Sequence, residues 1–209
     1  MIIGITGGIG SGKSTIARAL AARGYAVYDC DKEAKRIIAE NKDVQQQIIN
    51  LFGEKSFVNG VYNTQYISKR VFSPSLQGRS GEALLAQLNA IIHPAVKEDI
   101  LSLPSTGRLG GAPFLFLESA ILYEAGLDSL CDKIIVVEAP EDIRIARTIA
   151  RDYHGDASPE NINKVRARIR AQEAVCLQPG QACISHQMVV QNDGKRSIDE
   201  LVAEILQNI

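Results

Sequence analysis

The sequence predicts an α/β fold: a parallel β-sheet flanked by helices, with a helical region inserted between strands and a second helical segment nearer the C-terminal end. Three observations predict it. Short apolar runs alternate with segments of helical periodicity. A glycine-rich loop follows the first run at once. A long polar, helix-prone stretch separates the second run from the third.

Taken in order, Ile2 to Thr6 is a short apolar run suited to a central strand buried on both faces. A helix follows from Ser14 to about Arg23, with Ile16, Ala17, Leu20 and Ala21 on one face, and Gly24 stops it. Tyr25 to Tyr28 reads as a second strand, with Asp29-Cys30-Asp31 at its carboxyl end. From Asp31 to about Pro104 the chain is broken by Gly53, the Asn59-Gly60 turn and Pro74, which predicts several helices with one loop excursion. Glycines mark Thr106 to Pro113 as a linker. Phe114 to Leu117 and Lys133 to Val137 are two further strands, and Met188 to Gln191 a last short one. Pro140 to about Tyr153 is a helix whose Glu141 and Asp142 suit its positive end. Ser158 and Pro159 open another. Ser197-Ile198-Asp199-Glu200 matches a capping box before a C-terminal helix with Leu201, Val202, Ile205 and Leu206 on one face. The expected organisation is a core of 1–30, 105–140 and 185–209, a helical domain of 31–104 and a lid of 141–184.

Composition narrows the function. The 209 residues are 45% hydrophobic and 22% charged, with a net charge of −1. That balance gives no global attraction to nucleic acid or anionic membrane, so neither is expected as a partner. No apolar stretch approaches the roughly 20 residues of a membrane span, and no basic segment precedes the first apolar run. The expected compartment is the cytoplasm, and the expected state a monomer or weak homo-oligomer. Cys30, Cys131, Cys176 and Cys183 show no CxxC spacing and read as reduced thiols. His93, His154 and His186 lie too far apart to suggest zinc.

The chemistry is concentrated at Gly7-Gly8-Ile9-Gly10-Ser11-Gly12-Lys13-Ser14. This is the full G-x-x-x-x-G-K-[ST] pattern, with a strand before it and a helix after. Glycines let backbone N–H groups turn inward as an anion nest, and the helix aims its positive end at the same point. Gly8, Gly10, Ser11, Gly12, Lys13, Ser14 and Thr15 are thus the candidate nucleotide cradle. Lys13 supplies charge at the β/γ-phosphates, and the Ser14 hydroxyl can ligate Mg²⁺. The expected cofactors are ATP and Mg²⁺. A dinucleotide fingerprint fails because its third glycine would fall at Lys13. A GTPase switch fails because Asn41-Lys42-Asp43-Val44 misplaces the aspartate and follows the wrong strand.

A kinase also needs an acceptor-side base and cations for the moving phosphoryl group. Ligands of parallel sheets bind beyond the carboxyl ends of the strands. Asp29 and Asp31, after strand two, and Glu118, after strand three, fall at that edge. Asp29 and Asp31 are expected beside the strand-one loop, pointing the same way in an extended segment, unless one of them only caps the next helix. Arg144, Arg147 and Arg151 share one helix face, and Arg166 and Arg170 share a face of the next. Across the Gly155 loop they suggest a lid over a triphosphate, or else a solvated charged surface.

At this point the sequence resembles the dephospho-coenzyme A kinase family. The resemblance rests on GITGGIGSGKST, on Asp29-Cys30-Asp31 and on Leu88-Asn89-Ala90-Ile91-Ile92-His93-Pro94. It continues through Ile121-Leu122-Tyr123-Glu124, Arg147-x-x-x-Arg151-Asp152, Arg168-Ile169-Arg170-Ala171-Gln172 and Asn192-Asp193-Gly194. It implies a P-loop NTPase-type core and ATP-dependent phosphorylation of the ribose 3′-hydroxyl of dephospho-CoA. It implies Asp31 as base, with Lys13, Arg147 and Arg151 also acting in transfer. It further implies 31–104 as the acceptor domain, and Asn192 and Gly194 near the adenine. Asp29, Lys35, His93 and Glu118 complete the acceptor-side candidates, with Lys35 where the family often has arginine. His93, before Pro94, either ends a helix or touches substrate. Ala120 replaces a usual proline, and Cys176 to His186 lacks the expected charge pattern. The alternatives are another small-molecule or nucleoside-monophosphate kinase on the same core, and a nucleotide-gated interaction protein.

Overall fold

The computed structural model describes residues 1–72, 81–109, 111–176 and 187–209, with backbone alone for 174–176. In chain order the elements are β1 (Ile2–Thr6), α1 (Lys13–Ala22), β2 (Ala26–Asp29), α2 (Cys30–Glu40), α3 (Lys42–Phe52), β3 (Phe57–Val58), β4 (Val61–Tyr62), α4 (Thr64–Val71), α5 (Gly81–Ser102), β5 (Leu115–Glu118), β6 (Lys133–Glu138), α6 (Glu141–Asp152), α7 (Pro159–Cys176), β7 (Gln187–Gln191) and α8 (Ile198–Gln207). They form two compact units, Met1–Asp29 with Leu109–Ile209, and Cys30–Arg108.

The first unit holds a five-stranded sheet in the order β2-β5-β1-β6-β7, parallel at every pair. β1 lies at its centre, which is why its apolar residues are not interrupted by polar ones: Ile3 to Thr6 are all buried. Ile3, Ile5, Phe116, Ile135, Val137 and Val190 from the sheet share one core with Ile16 and Leu20 of α1 and Leu201, Val202 and Ile205 of α8. The capping box at Ser197 forms as its sequence predicts, with the Glu200 N–H donating to Ser197 Oγ at 3.2 Å and the Ser197 N–H to Glu200 Oε2 at 2.6 Å.

The sheet order corrects one expectation. β2 is not beside β1, because β5 lies between them. The acidic residue next to the strand-one loop is therefore Glu118 at the end of β5, not Asp29. A second correction concerns Asp31. It is not in extended chain; it sits in the first turn of α2, which begins at Cys30 directly after β2.

The second unit is helical. α5 packs against α2, α3 and α4, with Leu84, Leu88, Val96 and Ile100 buried. The excursion at Asn59-Gly60 is a β3–β4 hairpin whose turn residues both have positive φ, 52° and 79°. His93-Pro94 does not end a helix, because α5 runs through Pro94. Proline removes one N–H from the ladder, but buried side chains on both sides of it hold the helix together. Pro74 lies outside the described residues. Arg36 bonds both oxygens of Asp99 at 2.8 Å and Glu33 at 2.6 Å, and Arg108 joins the same two acids. This network fixes α2, and so Asp31, against α5.

The described part of the segment expected as a separate lid belongs to the first unit. Its helices α6 and α7 bury Ile145, Ile149, Val165 and Ile169 against each other. Arg151 Nε and Arg168 Nη1 both donate to Asp152, at 2.6 and 2.9 Å, tying the end of α6 to α7. The Arg151 hydrogen bond first, then that of Arg168, holds the Asp152 carboxyl at about 2, below its ordinary 3.8. A depressed carboxyl stabilises the fold above its unfolded pKa and loses that contribution as pH falls through the folded one. The stability difference between wild type and Asp152→Asn is therefore expected to be full at neutral pH, to shrink below about pH 4 and to be lost as pH falls through about 2. Denaturant titrations across that range check it.

Candidate active site

The loop between β1 and α1 is built to receive an anion. Every helix leaves its first N–H groups without intrahelical partners. α3, α4 and α8 meet this need with the side chains of Asn41, Asn63 and Ser197. α1 does not: its N-cap is Gly12, no side chain caps it, and its first turn holds no acid. The positive end of this helix faces a loop rich in glycine, an arrangement that favours phosphate.

The loop is held from behind by its carbonyl oxygens. Arg144 Nε donates to the Ile9 carbonyl at 2.9 Å. Arg147 Nη1 donates to the Ser11 carbonyl at 3.2 Å, and Asn192 Nδ2 to the same oxygen at 2.8 Å. Arg147 also bonds Asn192 Oδ1 at 3.0 Å, locking the pair. Two glycines are required by these close approaches. Gly10 has φ +77°, and a Cβ there would strike the Arg144 carbonyl; Gly12 has φ +95°, and a Cβ there would overlie Asn192 Nδ2. Gly12→Ala is expected to cost about 1–3 kcal/mol in backbone strain alone and to weaken ATP binding by more than tenfold. Calorimetric titration of ATP into the variant checks it.

Glu118 stands at the front of the loop. It is 6% exposed. Ser14 Oγ donates to its Oε1 at 3.1 Å, and Lys13 Nζ lies 3.8 Å from the same oxygen. Its register partners are Ile5 on β1 and Asp29 on β2, so Asp29 and Glu118 share one face at the carboxyl edge of the sheet. A hydroxyl beside a carboxylate is a hard oxygen set, and it fits Mg²⁺, which takes one or two carboxylates and completes its shell with water and phosphate. Among the described residues no cluster of three His, Cys, Asp or Glu forms an all-protein cation cage.

Beside the loop opens a cavity of about 620 Å³, lined by Gly7, Gly8, Ser11, Tyr123, Arg144 and Gln172 among others. Among the described residues two buried side-chain polar atoms lack a hydrogen-bond partner, Ser11 Oγ and Arg144 Nη2, and both residues line this cavity. A buried polar group without a partner costs about 1–3 kcal/mol, a cost that a polar ligand would offset.

A dephospho-CoA kinase family model matches residues 1–197. The chain belongs to that family. It is 43% identical over 150 residues to the dephospho-CoA kinase of Porphyromonas gingivalis, covering 72% of this chain and 69% of that one. It is 35% identical over 211 residues to the dephospho-CoA kinase of Bacteroides fragilis, covering 99% and 94%. The crystal structure of TT1252 from Thermus thermophilus matches with a TM-score of 0.70 at 32% identity, over 99% of this chain and 94% of that one. The alternative of another small-molecule or nucleoside-monophosphate kinase on the same core is not favoured.

In this kinase the sequence-derived residues fall into three groups. Gly8, Gly10, Ser11, Gly12, Lys13, Ser14, Thr15 and Glu118 come together at the loop. Asp31, Lys35 and His93 belong to the helical unit, Asp31 and Lys35 on α2 and His93 on α5. The third group lies on α6, on α7 and just beyond β7. Arg144 and Arg147 bond the carbonyls of the loop, at Ile9 and Ser11. Asn192 is 3% exposed, and its amide bonds Arg147 and the Ser11 carbonyl. Gly194 turns the chain just beyond, with φ +81°. Arg151 is exposed and paired to Asp152. Arg166 pairs with Glu141 across the α6–α7 pair. Two contributors were missed, Gln172 and the loop-gripping role of Asn192. The Gln172 and Asn192 strings were visible; which atoms they would meet was not.

Proposed function

We propose that this kinase transfers the γ-phosphoryl group of ATP to the 3′-hydroxyl of the ribose of dephospho-CoA, giving CoA and ADP. The observation that carries the reading is the uncapped, acid-free N-terminus of α1 facing the glycine loop, with Lys13 and Ser14 both against Glu118. The main-chain amides of the loop bind the triphosphate, and Lys13 stabilises charge on the β/γ oxygens as it moves outward. Ser14 and Glu118 would hold Mg²⁺, with Asp29 next in register. Bound there, the ion supplies charge neutralisation for the transferring group.

Arg144, Arg147 and Asn192 keep the loop's peptide planes fixed, so the donor site needs no rearrangement at the moment of transfer. Asp31 orients the acceptor hydroxyl and takes its proton. Lys35 and His93, on the same helical unit, serve the acceptor's anionic and polar groups. Arg151, exposed at the end of α6, is the arginine available to the phosphates when its Asp152 pairing opens.

A coupled ADP-release assay tests the reading. ADP production is expected with dephospho-CoA and Mg²⁺, and at background level with AMP, shikimate, gluconate or no acceptor. Equal rates with AMP or shikimate would move the assignment to another small-molecule kinase. Slow release independent of acceptor would remove the kinase assignment.

A further inference from the structure

Ile9, within the phosphate loop, is held in three ways by α6 and α7. Its side chain packs against the cluster of Ile145, Ile149, Val165 and Ile169. Its carbonyl accepts from Arg144 Nε. Its N–H donates to Gln172 Oε1 at 2.7 Å. The other end of the Gln172 amide points to a different part of the site: Nε2 donates to the Ala120 carbonyl at 3.2 Å. Ala120 lies two residues beyond Glu118, the last residue of β5. One side-chain amide therefore spans from the loop that grips the donor to the strand end that carries Glu118.

The two hydrogen bonds demand opposite chemistry. One atom must accept from an N–H and the other must donate to a carbonyl. A carboxylate of the same length accepts at both oxygens and donates at neither, and a methionine of similar size does neither well. We propose that Gln172 is a positioning residue for phosphoryl transfer, setting the separation between the phosphate loop and Glu118. It acts through Ile9 and through the Glu118-Ser119-Ala120 strand end. The inference rests on the reading above, in which Glu118 and the loop face the same phosphates. A displacement of about 1 Å between such groups costs roughly 10²-fold in rate.

Gln172→Met and Gln172→Glu test it together. With Gln172→Met, kcat is expected to fall about 10–100-fold, with the KM for ATP changed by less than about threefold and the melting temperature by no more than a few degrees. With Gln172→Glu the loss is of similar size at pH 8 and shrinks as pH falls towards 6. Protonating the introduced carboxyl restores one donor and one acceptor. The charged groups lining the adjoining cavity are Glu124 after β5, Glu138 on β6, Arg144 on α6 and Glu173 on α7. Three of these four groups are acidic and their negative charge favours that proton, opposed by the one cation, Arg144, whose Nη1 pairs with Glu173 at 2.6 Å while its Nη2 has no partner.

Wild-type kcat in Gln172→Met would overturn the proposal. So would a Gln172→Glu deficit that does not change with pH, or a loss matched by a collapse in melting temperature, which would reduce Gln172 to a packing contact. Failure of the wild-type enzyme to make CoA would be a different result: it would remove the reading on which this inference rests.

Discussion

Replacing Asp31 by asparagine lowers kcat by about 10²–10⁴-fold while ATP affinity, read by calorimetry, stays within about threefold of wild type. The argument separates two roles for one carboxylate. Asp31 lies in the first turn of α2, where an acid stabilises the helix by about 0.3–1 kcal/mol through the positive end of its dipole. If that were all it did, asparagine would lower stability slightly and leave turnover intact. A general base loses far more, because the amide cannot take the hydroxyl proton. The Arg36 network is the control: it fixes α2 through Glu33 and Asp99 without using Asp31, so the helix stays in place in the variant. Near-wild-type kcat in Asp31→Asn would overturn the assignment of the base.

The second large effect is expected at Lys13. Lys13→Ala lowers kcat/KM by roughly 10²–10³-fold, the size of one lost stabilising donor at a developing negative charge. Two losses combine here. The β/γ-phosphates lose a cation, and Glu118, almost buried, loses the ammonium 3.8 Å away. Because both act on one cluster, Lys13→Ala and Glu118→Gln are expected to be strongly non-additive, with the double variant close to the worse single one. Simple multiplication of the two effects would show that the residues act independently, against the geometry described above. An unchanged kcat/KM in Lys13→Ala would remove that residue from the reaction.

Much of the fold was legible because it rests on local signals. The period of the apolar runs located the strands. The Ser197 capping box, the Asn59-Gly60 turn and the glycine loop each specify backbone geometry within a few residues. Strand order was less accessible. Sequence neighbours β1 and β2 are separated in the sheet by β5, which arrives only after the whole helical unit, so Glu118 took the place by the loop that Asp29 was expected to fill. The Asp31 carboxylate was read as part of an extended pair because three residues cannot reveal that a helix begins at Cys30. Pro94 misled in the opposite direction: its local preference against helix is overridden by burial along α5.

Within the site, residue type was readable and partner was not. The spacing of Arg144, Arg147 and Arg151 correctly placed them on one helix. It could not show that two of them turn to the backbone of the loop while the third pairs with Asp152. Asn192 and Gln172 are amides, and an amide's role depends on which donors and acceptors lie within about 3 Å. That information belongs to the tertiary structure. The result is a glycine loop whose main-chain geometry is held by side chains of α6, of α7 and of Asn192 just after β7, far from it in sequence.

The most direct test of the central claim is the fate of labelled phosphorus. With ATP carrying label in its γ-phosphoryl group, Mg²⁺ and dephospho-CoA, the enzyme is expected to place the label in a product that co-elutes with CoA and releases it to a 3′-nucleotidase. Label found only as inorganic phosphate, or at a position the 3′-nucleotidase does not cleave, would contradict the account.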